Sequence, residues 1–221
     1  MNSVPLNTVS TVDAICSALE HDIFHLHFAP GEKITEQELA SRYNVSRNTL
    51  REAVAHLLAQ GLLIKTANRG VFVRKIGVED VQDIFLVRAL LEQEAVCRLT
   101  DVPEIPAQLW EYVEIMEGTD RQVPWEDYVR ADIRFHAALV AAAGSPRLQK
   151  LYDTIQTEVK LCIFQTRSYV AFPGGNPTPH RTILEAIEKR DTAAAQALLH
   201  EHICDVIKRY SMGVAAMAQS G

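Results

Sequence analysis

Two groups of side chains in this 221-residue chain have the types and spacing to do chemistry. The first is Asp132 and His136, with His180 and His202 further along. Residues four apart on a helix stand one turn above each other on one face. That spacing suits two ligands of a single metal ion. Three imidazoles and one carboxylate match a divalent ion of the Zn, Ni or Mn type, and four protein ligands leave octahedral positions open for water or a carboxylate oxygen. The competing reading of each inward histidine is a hydrogen-bonded core residue. The second group is Ser46-Arg47-Asn48-Thr49-Leu50-Arg51. Arginine suits guanine, asparagine suits adenine, and threonine suits a thymine methyl or a phosphate, which makes this a candidate reader of double-stranded DNA.

Arg88 poses a separate question. Val81, Ile84, Phe85, Leu91, Ala95, Val96 and Leu99 form an apolar helical stripe, and Arg88 falls in its middle. Burying an unpaired guanidinium costs several kcal/mol or more, so it needs a partner. Glu92, four residues on, is one candidate. A small carboxylate effector, held bidentately, is the other.

Charge is unevenly spread. The formal net charge is −6. Residues 1–76 hold eight Lys/Arg against seven Asp/Glu, and residues 77–221 hold fourteen against twenty-one. Between 42 and 75, seven cations (Arg42, Arg47, Arg51, Lys65, Arg69, Arg74, Lys75) face Glu52 alone. Phosphate contact needs such a concentration, while the acidic remainder repels DNA.

The elements that must position the basic stretch are legible. Val12, Ile15, Leu19, Ile23 and Leu26 predict a helix over ~10–28, ended by Ala29-Pro30-Gly31. Thr35 and Glu38 form a capping box for a helix over ~36–42. Ser46 is placed to cap a third helix over ~47–60, with Gly61 just past its end. Two short helices joined by a tight turn make a helix-turn-helix. Leu62-Leu63-Ile64-Lys65 and Val71-Phe72-Val73 predict two strands joined at Asn68-Arg69-Gly70. That hairpin is a wing with Arg69 at its tip.

This order of signals resembles the GntR family of bacterial regulators. The resemblance rests on Pro30-Gly31-Glu32, Leu39-Ala40, Val45-Ser46-Arg47-Asn48-Thr49-Leu50-Arg51-Glu52-Ala53, Leu57, Gly61-Leu62 and Arg69-Gly70-Val71-Phe72-Val73. It implies that Ser46, Arg47, Thr49 and Arg51 contact operator DNA and that Gly70 shapes the wing tip. Family members often carry arginine where this chain has Gln37, which implies a different operator.

Residues 77–221 read as one bundle of about six helices, at ~79–100, ~105–117, ~125–143, ~146–170, ~179–190 and ~191–214. Breaks fall at Val102-Pro103, Gly118 to Pro124, Gly144-Ser145-Pro146 and Phe172 to Pro179, and Asp191 caps the last helix. Val129, Ile133, Val140 and Ala143 mark the inner face of the third of these helices, on which Asp132 and His136 lie. His202 lies within the stripe Ala195, Leu198, Leu199, Ile203, Val206 and Ile207, whereas His200 points away from it. Asp132-Ile-Arg-Phe-His136, His180 through Asp191, Ala195, His202 and Arg88-x-x-Leu-Glu92 resemble the effector-binding (FCD) domain of the FadR-type branch of the GntR family. Six helices place it nearer the VanR-like subgroup. The resemblance implies a divalent ion on Asp132, His136, His180 and His202.

The expected protein is therefore mainly α, with a winged helix-turn-helix over 1–76 and a helical effector-binding and dimerisation domain over 77–221. It is expected to be a homodimeric, ligand-responsive regulator that acts as a repressor. A metal-dependent hydrolase is the rival enzyme reading. It lacks an evident general base and leaves the DNA-reading part idle. A purely structural metal is the other rival. No apolar run approaches the roughly 20 residues that span a bilayer, and the N-terminus lacks a signal-peptide pattern, so a cytoplasmic location is expected. Cys16, Cys97, Cys162 and Cys204 form no CxxC pair, and each is read as a reduced, buried thiol in an apolar helical pattern.

Overall fold

The computed structural model describes residues 10–118, 123–168 and 178–219. The chain divides into two compact units, Met1–Ile76 and Gly77–Gly221.

The first unit opens with α1 (Thr11–Phe24), capped by the Ser10 hydroxyl, which accepts from the Asp13 amide. Its buried face, Ile15, Cys16, Leu19 and Ile23, packs against α3. The helix stops before the predicted end because Leu26 adopts a left-handed conformation (φ 60°). The Leu26 amide then donates to the Ile23 carbonyl and the His27 amide to that of Asp22. This is a Schellman turn, with leucine where glycine is usual.

The Thr35/Glu38 capping box starts α2 (Glu36–Tyr43), and Asn44 turns the chain in left-handed conformation (φ 51°). Ser46 caps α3 (Arg47–Ala59) by accepting from the Thr49 amide. Gly61 (φ 76°) ends α3 in a second Schellman turn, the Leu62 amide donating to the Leu57 carbonyl. Leu39, Leu50 and Leu57 are wholly buried between these helices.

The wing is larger than predicted. Besides β2 (Leu63–Thr66) and β3 (Gly70–Val73), a two-residue β1 (Lys33–Ile34) pairs antiparallel with the outer edge of β3, giving the order β1-β3-β2. Two residues are too few for alternation to register. Pairing sets Lys33 opposite Phe72 and Leu63 opposite Val73. Gly70 sits at φ 116°, where an added Cβ would meet Lys33 Cε at 3.0 Å. The lysine tip could move aside, but the positive φ itself favours glycine here.

The second unit is helical throughout its described residues: α4 (Val78–Leu99), α5 (Ala107–Glu117), α6 (Trp125–Ala142), α7 (Pro146–Gln165), α8 (Pro179–Glu188) and α9 (Thr192–Gln219). α4 is the hub and packs on α6, α7 and α9. Phe85, Leu99, Leu109 and Phe135 are wholly buried among them. Asp191 accepts from the Ala194 amide at 2.9 Å and so starts α9. The predicted break from Phe172 to Pro179 lies mostly outside the described residues, as does the middle of that from Gly118 to Pro124. Among the described residues, no helix is long and apolar enough to cross a membrane.

One expectation needs correction. All four thiols are free, but Cys204 is exposed and Cys97 only half-buried. On α9 the buried positions are Ala195, Leu199, His202, Ile203 and Val206, a stripe that passes Cys204 by. Its sulfur instead lies 3.5 Å from His200 Nε2, one turn back on the exposed face.

Candidate metal centre and nucleic-acid interface

Three helices bring the predicted ligand set together. Asp132 and His136 project from α6, His180 from the first turn of α8, directly after Pro179, and His202 from α9. One donor atom from each lies within 4.8 Å of all the others. His180 Nε2 is 3.1 Å from Asp132 Oδ1 and 3.2 Å from His136 Nε2. The His136 and His202 rings stack at 5.4 Å, nearly parallel. All three histidines are buried, while Asp132 keeps 15% exposure.

A carboxylate the sequence reading assigned elsewhere organises this cluster. His136 Nδ1 donates to Glu92 Oε2 at 2.8 Å, which turns the Nε2 lone pair toward the other ligands. A histidine ligand is typically oriented in this way by an outer carboxylate. Glu92 Oε1 accepts from Arg88 Nε at 2.7 Å and from the Tyr152 hydroxyl at 2.8 Å. Arg88 is therefore paired with Glu92, both buried. Burial alone would raise the Glu92 carboxyl, but the Arg88 charge and His136 outweigh it and hold the group down at about 2.

The electrostatics favour a cation. Burial opposes ionisation of Asp132, yet the hydrogen bond from His180 and the His136, His180 and Arg88 charges hold it well below the carboxylate range. Burial pushes His180 and His202 below the usual imidazole value, His202 further because His180 and His136 lie beside it. A carboxylate that ionises readily beside two imidazoles, those of His180 and His202, that give up their protons readily suits a cation, which needs its ligands deprotonated. His180 Nδ1 is buried with no hydrogen-bond partner among the described residues, so the ring is oriented by its polar contacts at Nε2 and by edge-on packing against Phe135 and His202. The donor set fits a divalent ion.

A cavity of about 10 Å³ adjoins the cluster, lined by Arg88, Asp132, His136, Tyr152, Gln156 and Lys160 among others. That is room for about one water. The sequence reading missed the wall from α7. Its signal was Tyr152, Gln156 and Lys160 at four-residue spacing along one face of α7.

The DNA-reading candidates of the first unit stand in solvent. Arg47, Asn48 and Arg51 are exposed on the first turns of α3. Arg51 Nε lies 3.8 Å from Glu36 Oε1, a loose surface pair. The Ser46 and Thr49 hydroxyls are 2.8 Å apart, so Ser46 caps the helix and steadies Thr49 together. Arg69, at the tip of the β2–β3 turn, has its guanidinium carbon 6.0 Å from the Phe72 ring centroid. Gly70 follows, and Lys33 on β1 adds a cation that the sequence reading did not assign to the wing.

Comparison with known proteins agrees with both units. Residues 11–73 match the family described as bacterial regulatory proteins, gntR family, and residues 83–205 match the FCD domain. The Nta operon transcriptional regulator of Aminobacter aminovorans is 33% identical over 180 residues, covering 79% of this chain and 83% of that protein. The HTH-type transcriptional repressor RspR of Escherichia coli K12 is 28% identical over 195 residues, covering 85% and 83%. A solved GntR-type structure from Rhodococcus sp. RHA1 superposes with a TM-score of 0.75 at 27% identity, covering 91% of this chain and 98% of that one. With a gntR-type head and an FCD domain in one chain, the protein belongs to the GntR family of bacterial transcriptional regulators.

Proposed function

We propose that this regulator represses transcription as a homodimer on operator DNA and is released or retuned by a small organic acid bound beside a divalent ion in its FCD domain. The observation that carries the sensing half is the convergence of the Asp132, His136, His180 and His202 donors within 4.8 Å. A bound ion would supply Lewis-acid sites for a carboxylate oxygen. Arg88 holds Glu92 through Nε, and its guanidinium, with Lys160 on the same cavity, supplies positive charge for an acid that enters by displacing the water-sized void and pushing back the α7 wall. Tyr152 and Glu92 fix the position of Arg88 and the orientation of His136.

Arg47, Asn48, Thr49 and Arg51 read the major groove, Ser46 caps the helix that carries them, and Arg69 and Gly70 bring the wing to the backbone. A two-fold dimer presents two such helices and so calls for an inverted-repeat operator. The exposed Leu86, Val87 and Leu90 on α4 and Leu151 on α7, two helices packed together, support a partner-covered face on the bundle. The effector alters DNA affinity only as far as it prefers one arrangement of the dimer, by about 1–3 kcal/mol.

Two experiments test this. Arg51→Ala abolishes the gel shift on the promoter of the protein's own operon at near-physiological salt, and binding equal to wild type refutes the assignment of α3. Asp132→Ala loses the rise in melting temperature given by a panel of small carboxylates while keeping a folded bundle. If the bundle instead unfolds, the metal is structural and the sensing role fails.

A further inference from the structure

Three of the chain's eight histidines fall within seven residues, His21, His25 and His27, and none belongs to the cluster already described. We infer that the C-terminal turn of α1 carries a second divalent-cation site, made by His21, Asp22 and His27, within the DNA-reading unit.

The turn assembles the donors. Because Leu26 is left-handed, the chain folds back and sets His27 over Asp22, although the two are five residues apart. His27 Nδ1 lies 2.9 Å from Asp22 Oδ1, and His21 Nδ1 lies 3.7 Å from the same oxygen. One donor atom from each of the three residues falls within 4.8 Å of the others. Two donors each about 2.1 Å from one ion stand about 3.0 Å apart at octahedral angles and about 3.4 Å at tetrahedral ones. The two measured distances bracket those values, so an ion enters with small side-chain adjustments.

The surroundings leave the site open. His21 and His27 are 61% and 52% exposed, so an ion and its waters have access. Asp22 meets its other partners through Oδ2, which lies 2.8 Å from both the Tyr43 hydroxyl and Arg42. Those bonds satisfy the second oxygen and leave Oδ1 for the ion. His25 donates from Nδ1 to the His21 carbonyl at 2.8 Å, and its ring stacks on that of His21 at 3.9 Å. His21 is thereby held on the side where the site needs it. Imidazole-rich donors of this kind select Zn, Ni or Co over Mg or Ca. Since Arg42 and Tyr43 belong to the last turn of α2, an ion on Asp22 would clamp the end of α1 to the end of the first helix of the helix-turn-helix.

This site is independent of the bundle reading, and zinc alone is the probe. Metal-free full-length chain is loaded with zinc, dialysed and analysed for bound metal. Wild type is expected to retain about two ions per chain, His21→Gln/His27→Gln about one, and His136→Gln/His180→Gln about one. Retention by the head variant equal to wild type overturns the site. Retention by the bundle variant equal to wild type overturns the bundle centre and leaves this one standing. In the bundle variant, zinc is also expected to raise the melting temperature, and adding His21→Gln and His27→Gln to remove that rise. An equal rise in both overturns the proposal. Glutamine at exposed positions 21 and 27 preserves side-chain hydrogen bonding, so circular dichroism should match wild type.

Discussion

In the N-terminal unit the polar side chains suited to recognition stand in solvent, and apart from the Ser46 cap of α3 little in their own unit depends on them. In the bundle the polar side chains suited to recognition are buried and bonded to one another. Arg47 and Asn48 are exposed on α3, whereas Arg88 and Glu92 are 3% and 0% exposed and share a 2.7 Å bond. On the proposed function, the difference follows from the ligand. DNA is large and charged, and a protein meets it at a surface. A small acid or an ion has to be enclosed, and enclosing it makes its binding groups part of the core. Substitutions should therefore separate the units: in the bundle, removing the buried network that holds the site costs stability and recognition together, and in the head the two come apart.

The largest effect is expected at Glu92. Glu92→Ala strips the buried Arg88 of its partner and should cost about 3–5 kcal/mol in denaturant titration. It should also weaken metal binding on the order of 10–100-fold, because His136 loses its orienting acceptor. A loss of stability below about 1 kcal/mol would erase the contrast.

Arg47→Ala comes next. It should weaken operator binding on the order of 10–100-fold, as expected for loss of a base contact worth about 1–3 kcal/mol, while stability stays within about 0.5 kcal/mol of wild type. A fall in melting temperature matching the fall in affinity would mean that the head, too, folds on its recognition residues. Arg69→Ala should have the smallest effect. It should reduce the slope of log affinity against log salt by about 1, uniformly across operator sequences. Sequence-dependent loss would place Arg69 on a base edge instead.

How much could be read beforehand differs between the units for the same reason. The head is specified locally. Thr35 with Glu38, Ser46 with Thr49, and Gly61 after α3 are signals within four residues of the feature they set. What escaped was long-range or very short: β1, whose two residues find β3 nearly forty positions later, and Leu26, whose side chain hides its left-handed backbone. In the bundle, helical phase placed Asp132, His136 and His202 inward. It could not reveal that Glu92 on α4 meets His136 on α6 and Tyr152 on α7, because those pairings are tertiary. Arg88 had two candidate partners on sequence, and its 2.7 Å bond to Glu92 accounts for one of its nitrogens only.

The sharing of Glu92 among Arg88, His136 and Tyr152 also has an evolutionary consequence. Drift at any one of these positions strands a buried partner, so the quartet can change only in concert. Gln156 and Lys160 face the same cavity without a tie to that network among the described residues. Diversification of what the regulator responds to, by natural selection or in directed libraries, should accumulate on that wall of α7 first.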